Sequence, residues 1–365
     1  MKVGLIGLPE CGKTTLFNAL TRANESTHAY GAHKDEVHLG SVPVPDPRFD
    51  FCVEVSHPKK IAPATLDITD GGARIDLEEK REKFGADFFA GVRNMDALAL
   101  ILREFKSEIL PDPEGGLDPR RDAEKIMGEL LLADLMVIEG RLERLEKNRI
   151  LKRQTPAEAA EEQTLLKIKT HLDSVQPIRT LSLTDDETKA IKSFAFVSAK
   201  PLILVANIDE NSISQGSPTL SSLRSFAEEQ KLPLVEICAK LEMEVSQMDQ
   251  EEEKEFLSAM GVEEPARDRL IRIAYAALGY ISFFTVGEDE VKAWTILQGT
   301  HAVGAAEKIH TDIARTFIRA EVISFDDFHA CGGWDESRSA GKMRLEGKDY
   351  QVKDGDIVHI RNSKG

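Results

Sequence analysis

The feature that most narrows the folds open to this chain lies in its first twenty residues. Residues 2–7 (KVGLIG) form a short apolar run ending in glycine, and Thr14-Thr15-Leu16-Phe17-Asn18-Ala19-Leu20 suits a helix. Between them, Gly7-Leu8-Pro9-Glu10-Cys11-Gly12-Lys13-Thr14 matches GxxxxGK[ST], in the strand–loop–helix context that a phosphate-binding loop requires. Glycines let backbone N–H groups turn inward around phosphates, and the opening of the helix adds positive potential. The expected nucleotide-binding residues here are Pro9, Glu10, Cys11, Gly12, Lys13, Thr14 and Thr15. Lys13 is the expected catalytic cation, reaching the β- and γ-phosphates, and the Thr14 hydroxyl is the expected Mg²⁺ ligand.

Further short apolar runs at 64–68, 97–102, 202–205 and 234–237 alternate with helix-like stretches. That alternation predicts an α/β fold, a parallel sheet covered on both faces. Asp67 closes one of these runs and is the expected carboxylate for Mg²⁺, with the capping of a turn as the alternative. The run at 202–205 leads into Asn207 and Glu210, the places of the first and last residues of the Asn-Lys-x-Asp base loop of guanine-specific GTPases. Lysine is replaced by Ile208, and Glu210 is one methylene longer than aspartate, which displaces the guanine edge. An acceptor facing adenine N6 is equally reasonable, so ATP and GTP both stay open. Ala239 and Lys240, after the run at 234–237, occupy the place of a second base-contacting loop.

Residues 118–177 break the alternation. Asp118-Pro119 and Thr155-Pro156-Ala157-Glu158 are helix starts, the second with a capping box. Leu131, Leu135, Ile138, Leu142 and Leu145, then Leu165, Ile168, Leu172 and Val175, recur at steps of three and four. The pattern predicts an inserted antiparallel coiled-coil hairpin, with two ordinary amphipathic helices packed on the sheet as the alternative. Lys147, Arg149, Lys152 and Arg153 fall where that hairpin turns. A basic tip suits an RNA phosphate backbone, although cations at a helix C-terminus are equally expected for the helix's own sake. From residue 280, a hairpin (280–286 and 291–296), a helix near 303–314 and strands near 319–323, 342–345 and 357–361 suggest a β-grasp domain. The expected domains are thus 1–117 with 178–279 for nucleotide, 118–177 for the helical insertion and 280–365 for the β-grasp.

Lys and Arg number 47 against 63 Asp and Glu, a net charge of −16 that argues against non-specific DNA binding. No apolar run approaches the roughly 18–20 residues that span a bilayer, and no membrane contact is expected. Cys11, Cys52, Cys238 and Cys331 lie far apart with no CxxC, the usage of reduced thiols in a cytoplasmic protein. His28, His33 and His38 recur every five residues, which matches neither a helix face nor a strand face and so makes a poor metal site.

The chain resembles the YchF/Obg-like P-loop NTPases, a G domain with a helical insertion and a C-terminal TGS (β-grasp) domain. The resemblance rests on residues 7–21, 42–48, 133–147, 205–210 and 340–350, with 310–312 and 317–322 in support. It implies binding and slow hydrolysis of ATP or GTP with Mg²⁺, and association with ribosomes or translation factors. A nucleotide-gated binding module or adaptor with negligible hydrolysis is the alternative. Glu10-Cys11 replaces the family's usual Asn-Val, and Lys34 stands about where a Mg²⁺-binding threonine is expected. Asp67-Ile68-Thr69-Asp70 lacks the glycine of Asp-x-x-Gly, and residues 74–82 replace a glycine-rich stretch. A retained nucleotide pocket with altered switches is the resulting expectation.

Overall fold

The computed structural model describes residues 1–22, 38–70, 86–107, 110–111, 113, 115–212 and 217–363. Lys34, His28, His33 and residues 74–82 lie outside the described residues. The chain forms two compact units, Met1–Gly40 with Asp67–Leu270, and Ser41–Leu66 with Ile271–Gly365.

The strands in chain order are β1 (Lys2–Ile6), β2 (His38–Pro43), β3 (Lys60–Ala62), β4 (Thr65–Asp70), β5 (Ala97–Glu104), β6 (Leu202–Ile208), β7 (Leu234–Ile237), β8 (Tyr280–Thr285), β9 (Glu290–Leu297), β10 (Phe317–Ile323), β11 (Arg344–Glu346) and β12 (Ile357–Asn362). The first sheet has the order β2-β4-β1-β5-β6-β7, and the β1–β4, β1–β5, β5–β6 and β6–β7 pairs are parallel. All eight residues of β5 are buried, which explains why it reads as a continuous apolar run and not as an alternating one. The chain visits β4 and β5 on opposite sides of β1. This is a switch point, and a crevice forms there outside the carboxyl ends of the strands.

The first helix of the insertion packs in two ways, on the sheet along its N-terminal part and on the second helix along its C-terminal part. The N-terminal part of Pro119–Ile150 sends Ala123, Ile126 and Leu130 into the core with Leu98, Leu100 and Leu102 of β5 and with Leu220 and Phe226 of the helix Pro218–Gln230. Its C-terminal part packs Ile138 and Leu145 on Leu165, Ile168 and Leu172 of Pro156–Asp173. Cross-links Glu139–Lys169, Arg141–Glu161 and Asn148–Glu158 show the antiparallel register: as one number rises its partner's falls. Midway, the buried Asp134 carboxylate accepts from the N–H groups of Val197 (2.9 Å) and Ser198 (2.7 Å), tying the helix to the loop before β6. Burial pushes that carboxyl above its usual range even against these bonds.

In the second unit the strand order is β11-β10-β12-β8-β9-β3. β8–β9 is the expected antiparallel hairpin, β10 lies antiparallel between β11 and β12, and β12 is parallel to β8. Ala302, Ala305 and Ala306 of the helix Ala302–Ile309 pack on Phe283, Ile296 and Val322, giving the β-grasp its core. The division differs from the sequence boundaries because Ser41–Leu66 belongs to this unit. β3 pairs with β9 in parallel, Lys60 opposite Glu290 and Ala62 opposite Lys292. A three-residue strand whose partner lies 230 residues away has no local signature that could reveal it.

Candidate nucleotide-binding site

The loop after β1 is held in shape by close backbone approaches that only glycine permits. A Cβ on Gly7 would lie 2.4 Å from the Ile101 carbonyl oxygen, and one on Gly12 would lie 2.2 Å from Asn207 Nδ2. Gly12 has φ +93° and caps the helix Lys13–Thr21, a conformation that disfavours any side chain. Glu10 also has positive φ, at +60°. The Lys13 ammonium donates to the carbonyls of Gly7 (3.0 Å) and Leu8 (2.9 Å), so it lies across the loop it is expected to serve. The Cys11 thiol is buried, and burial raises it above its ordinary range despite the nearby Lys13 cation; it is a packed side chain, not a nucleophile.

Thr14 Oγ1 donates to Asp70 Oδ2 at 2.9 Å. Asp70 is 4% exposed and is the last residue of β4. This corrects the assignment of Asp67 as the metal carboxylate. The register pairs Asp67 with Lys2, at the beginning of β1, whereas the phosphate loop leaves the other end of β1. At about 3.3 Å per residue, Asp67 is about 10 Å further down the strand than Asp70. Its carboxylate lies 3.6 Å from the Met1 ammonium instead. The sequence reading ended the strand too early; the second aspartate, directly before Gly71-Gly72, was the signal available. The residue three beyond Asp70 is Ala73, so the Asp-x-x-Gly glycine is missing in this register also.

A hydroxyl and a carboxylate in contact at the opening of a phosphate loop are hard oxygen donors of the kind Mg²⁺ takes, one or two from protein and the rest from water and phosphate. The donor set therefore fits Mg²⁺. The described residues contain no group of three or more His, Cys, Asp or Glu that could form an all-protein cage.

Asn207 is buried, and both ends of its amide are used within the protein. Nδ2 donates to the Cys11 carbonyl and Oδ1 accepts from the Ala239 N–H, each at 3.0 Å. Asn207 thus joins the phosphate loop to the Cys238-Ala239-Lys240 loop, using one of its two amide hydrogens. Glu210 and Lys240 do come together, Nζ to Oε1 at 3.0 Å, in an exposed ion pair that raises the lysine. Pro9 and Thr15 lie half-buried on the loop and the first helical turn.

Arg103 and Phe105 were missed by the sequence reading, since nothing local distinguishes the end of β5. Arg103 is buried, lies opposite Asn207 in the β5–β6 register and stands 3.9 Å from Glu10 Oε2. Its guanidinium donates to the Phe105 and Pro111 carbonyls and lies 4.9 Å from the Phe105 ring centroid. Its buried Nη2 has no hydrogen-bond partner among the described residues.

The chain matches known proteins along nearly its whole length. A sequence profile described as "50S ribosome-binding GTPase" matches residues 2–111, and the YchF-GTPase C-terminal profile, described as "Protein of unknown function (DUF933)", matches 280–363. The chain is 40% identical over 361 residues to a protein of Haemophilus ducreyi named ribosome-binding ATPase YchF, covering 99% of this chain and 98% of that one. It is 35% identical over 363 residues to the Bacillus subtilis protein of the same name, covering 99% of each. The solved structure of the Schizosaccharomyces pombe YchF GTPase superposes with a TM-score of 0.85 at 30% identity, covering 99% of this chain and 97% of that one. With the phosphate loop, the inserted helices and the β-grasp unit in the same order throughout, this chain belongs to the YchF family.

Proposed function

We propose that the chain binds a purine nucleoside triphosphate with Mg²⁺ in the loop between β1 and the helix Lys13–Thr21, and hydrolyses it slowly in association with the ribosome. The observation that carries the reading is the Thr14–Asp70 contact beside Lys13, which joins two metal donors to a phosphate-binding loop. Thr14 and Asp70 would hold Mg²⁺, which when bound neutralises charge on the phosphate oxygens. Lys13 would exchange its loop carbonyls for phosphate oxygens, with backbone N–H groups of the loop and first helical turn as further donors. ATP is the favoured nucleotide: one oxygen of Glu210 carries Lys240, which interferes with the paired acceptance that guanine N1–H and N2–H₂ ask for. An exposed pair of this kind is worth at most about 1 kcal/mol, so the preference is moderate.

The hairpin tip fits the ribosomal side of the proposal. Lys147, Arg149, Lys152 and Arg153 are exposed, and Ile150 and Leu151 beside them are 71% and 59% exposed. Such a tip suits an RNA backbone, while the overall charge of −16 discourages binding elsewhere. Calorimetric titration of ATP and GTP with and without Mg²⁺ tests the nucleotide reading: no saturable heat with either nucleotide overturns it. Sedimentation with ribosomes tests the tip, since reversing the four charges should weaken association and flatten its salt dependence.

A further inference from the structure

Three unfavourable local choices meet at one place in the first unit, away from the phosphate loop. Gly128 lies inside the helix Pro119–Ile150, where glycine costs helix stability relative to alanine, and a Cβ built on it meets nothing within 4 Å. Val175 has φ +57°, a region that a β-branched residue avoids, and is 72% exposed. Arg179 is drawn in from solvent with no ionic or hydrogen-bonded partner for its guanidinium among the described residues. All three line a cavity of about 340 Å³, within the range of pockets that hold small molecules. Unfavourable local choices that coincide mark functional sites more often than accidents of packing.

The wall has a consistent chemistry. Met127, Leu130 and Phe226 supply an apolar surface between the helices Pro119–Ile150 and Pro218–Gln230. Glu124, the acidic residue on the wall, is held by Arg120 at 2.9 Å. Arg120 also lies over the Phe226 ring and 3.7 Å from Glu229. Glu124 therefore already has a cation, one it shares with Glu229, and the Arg179 charge is left for a ligand. Burial lowers the Arg179 guanidinium to about 10, with no carboxylate among the described residues close enough to offset it. A bound anion would supply that missing partner, and the absent Gly128 side chain is what keeps the space open.

We propose that this cavity binds a small amphipathic organic anion, its acidic group on Arg179 and its hydrocarbon body against Met127, Leu130 and Phe226. The acidic group is a carboxylate or a phosphate monoester, since both meet a guanidinium through paired oxygens. The site is separate from the nucleotide loop, and its occupancy does not depend on the nucleotide reading.

The test uses the full chain and calorimetric titration with four ten-carbon probes below their micelle-forming concentrations: decanoate, decyl phosphate, decanol and decyltrimethylammonium. One-to-one binding of decanoate or decyl phosphate, at least tenfold tighter than decanol and with no heat from the ammonium probe, supports the proposal. Whichever anion binds better names the acidic group. Arg179→Gln should bring the anions to the level of decanol, with Arg179→Lys between. Gly128→Leu should abolish binding of every probe while raising Tm, because it fills empty space and improves the helix. The proposal is overturned if neither anion gives saturable heat, if decanol binds as tightly as the anions, or if anion binding survives Gly128→Leu. ATP titration of each variant shows that the fold persists.

Discussion

Thr14 Oγ1 and Asp70 Oδ2 lie 2.9 Å apart, a contact between the first turn of a helix and the end of a strand 56 residues away. It identifies which of two aspartates on one strand faces the phosphate loop. Asp70→Asn should weaken ATP binding in Mg²⁺ at least tenfold and leave Mg²⁺-free binding nearly unchanged. Asp67→Asn, three residues back along β4, should change either by less than twofold. Parallel titrations of the two variants check the pair. Equal effects would mean that neither carboxylate serves the metal.

Glu10 places a carboxylate on a loop meant for phosphates, and Arg103 at 3.9 Å offsets it. Glu10→Asn should therefore tighten nucleotide binding about three- to tenfold, on the order of 1 kcal/mol for a partly exposed charge near a surface. Arg103→Met should weaken binding more in the native background than alongside Glu10→Asn. A double-mutant cycle on the dissociation constants measures that difference, and additive effects would dissociate Arg103 from Glu10.

Asn207 uses one amide hydrogen on the Cys11 carbonyl and its amide oxygen on the Ala239 N–H. Asn207→Ala leaves a buried carbonyl and a buried N–H unpaired, which should cost about 2–6 kcal/mol of stability at about 1–3 kcal/mol each. With these two loop-joining bonds as its part in the site, affinities for ATP and GTP should fall by the same factor. Denaturant melts and paired titrations test both halves, and a change in the ATP-to-GTP ratio would instead make Asn207 a base contact.

In the β-grasp unit, burial pushes the Glu321 carboxyl up, but His359 at 2.8 Å and Arg361 outweigh it and hold the group below its usual value. A carboxyl lowered on folding contributes stability that is fully present above its unfolded pKa of about 4.3 and is lost as pH falls through the folded value. The native chain should therefore lose more stability between pH 6 and pH 3 than Glu321→Gln does. Urea midpoints across that range check it; parallel losses would show that the carboxyl titrates as it does unfolded.

Much of this protein could be read from runs of adjacent residues. The phosphate loop, the β-strands that alternate with helices, the capping box at Thr155 and the hairpin of β8 and β9 all declare themselves locally, because backbone conformation, side-chain period and turn chemistry act over a few residues. Lys13, Thr14 and Gly12 could be named from spacing alone for the same reason. The exchange of Asp67 for Asp70, the inward turn of Asn207, the place of Arg103 beside Glu10 and the transfer of β3 to the second sheet could not. Each depends on strand register and on which end of a parallel sheet a residue occupies, and that is settled by pairings between segments tens to hundreds of residues apart. Asp67 and Asp70 lie about 10 Å apart along one strand, so only the folded chain distinguishes the carboxylate that meets Thr14 from the partner of the N-terminal amine.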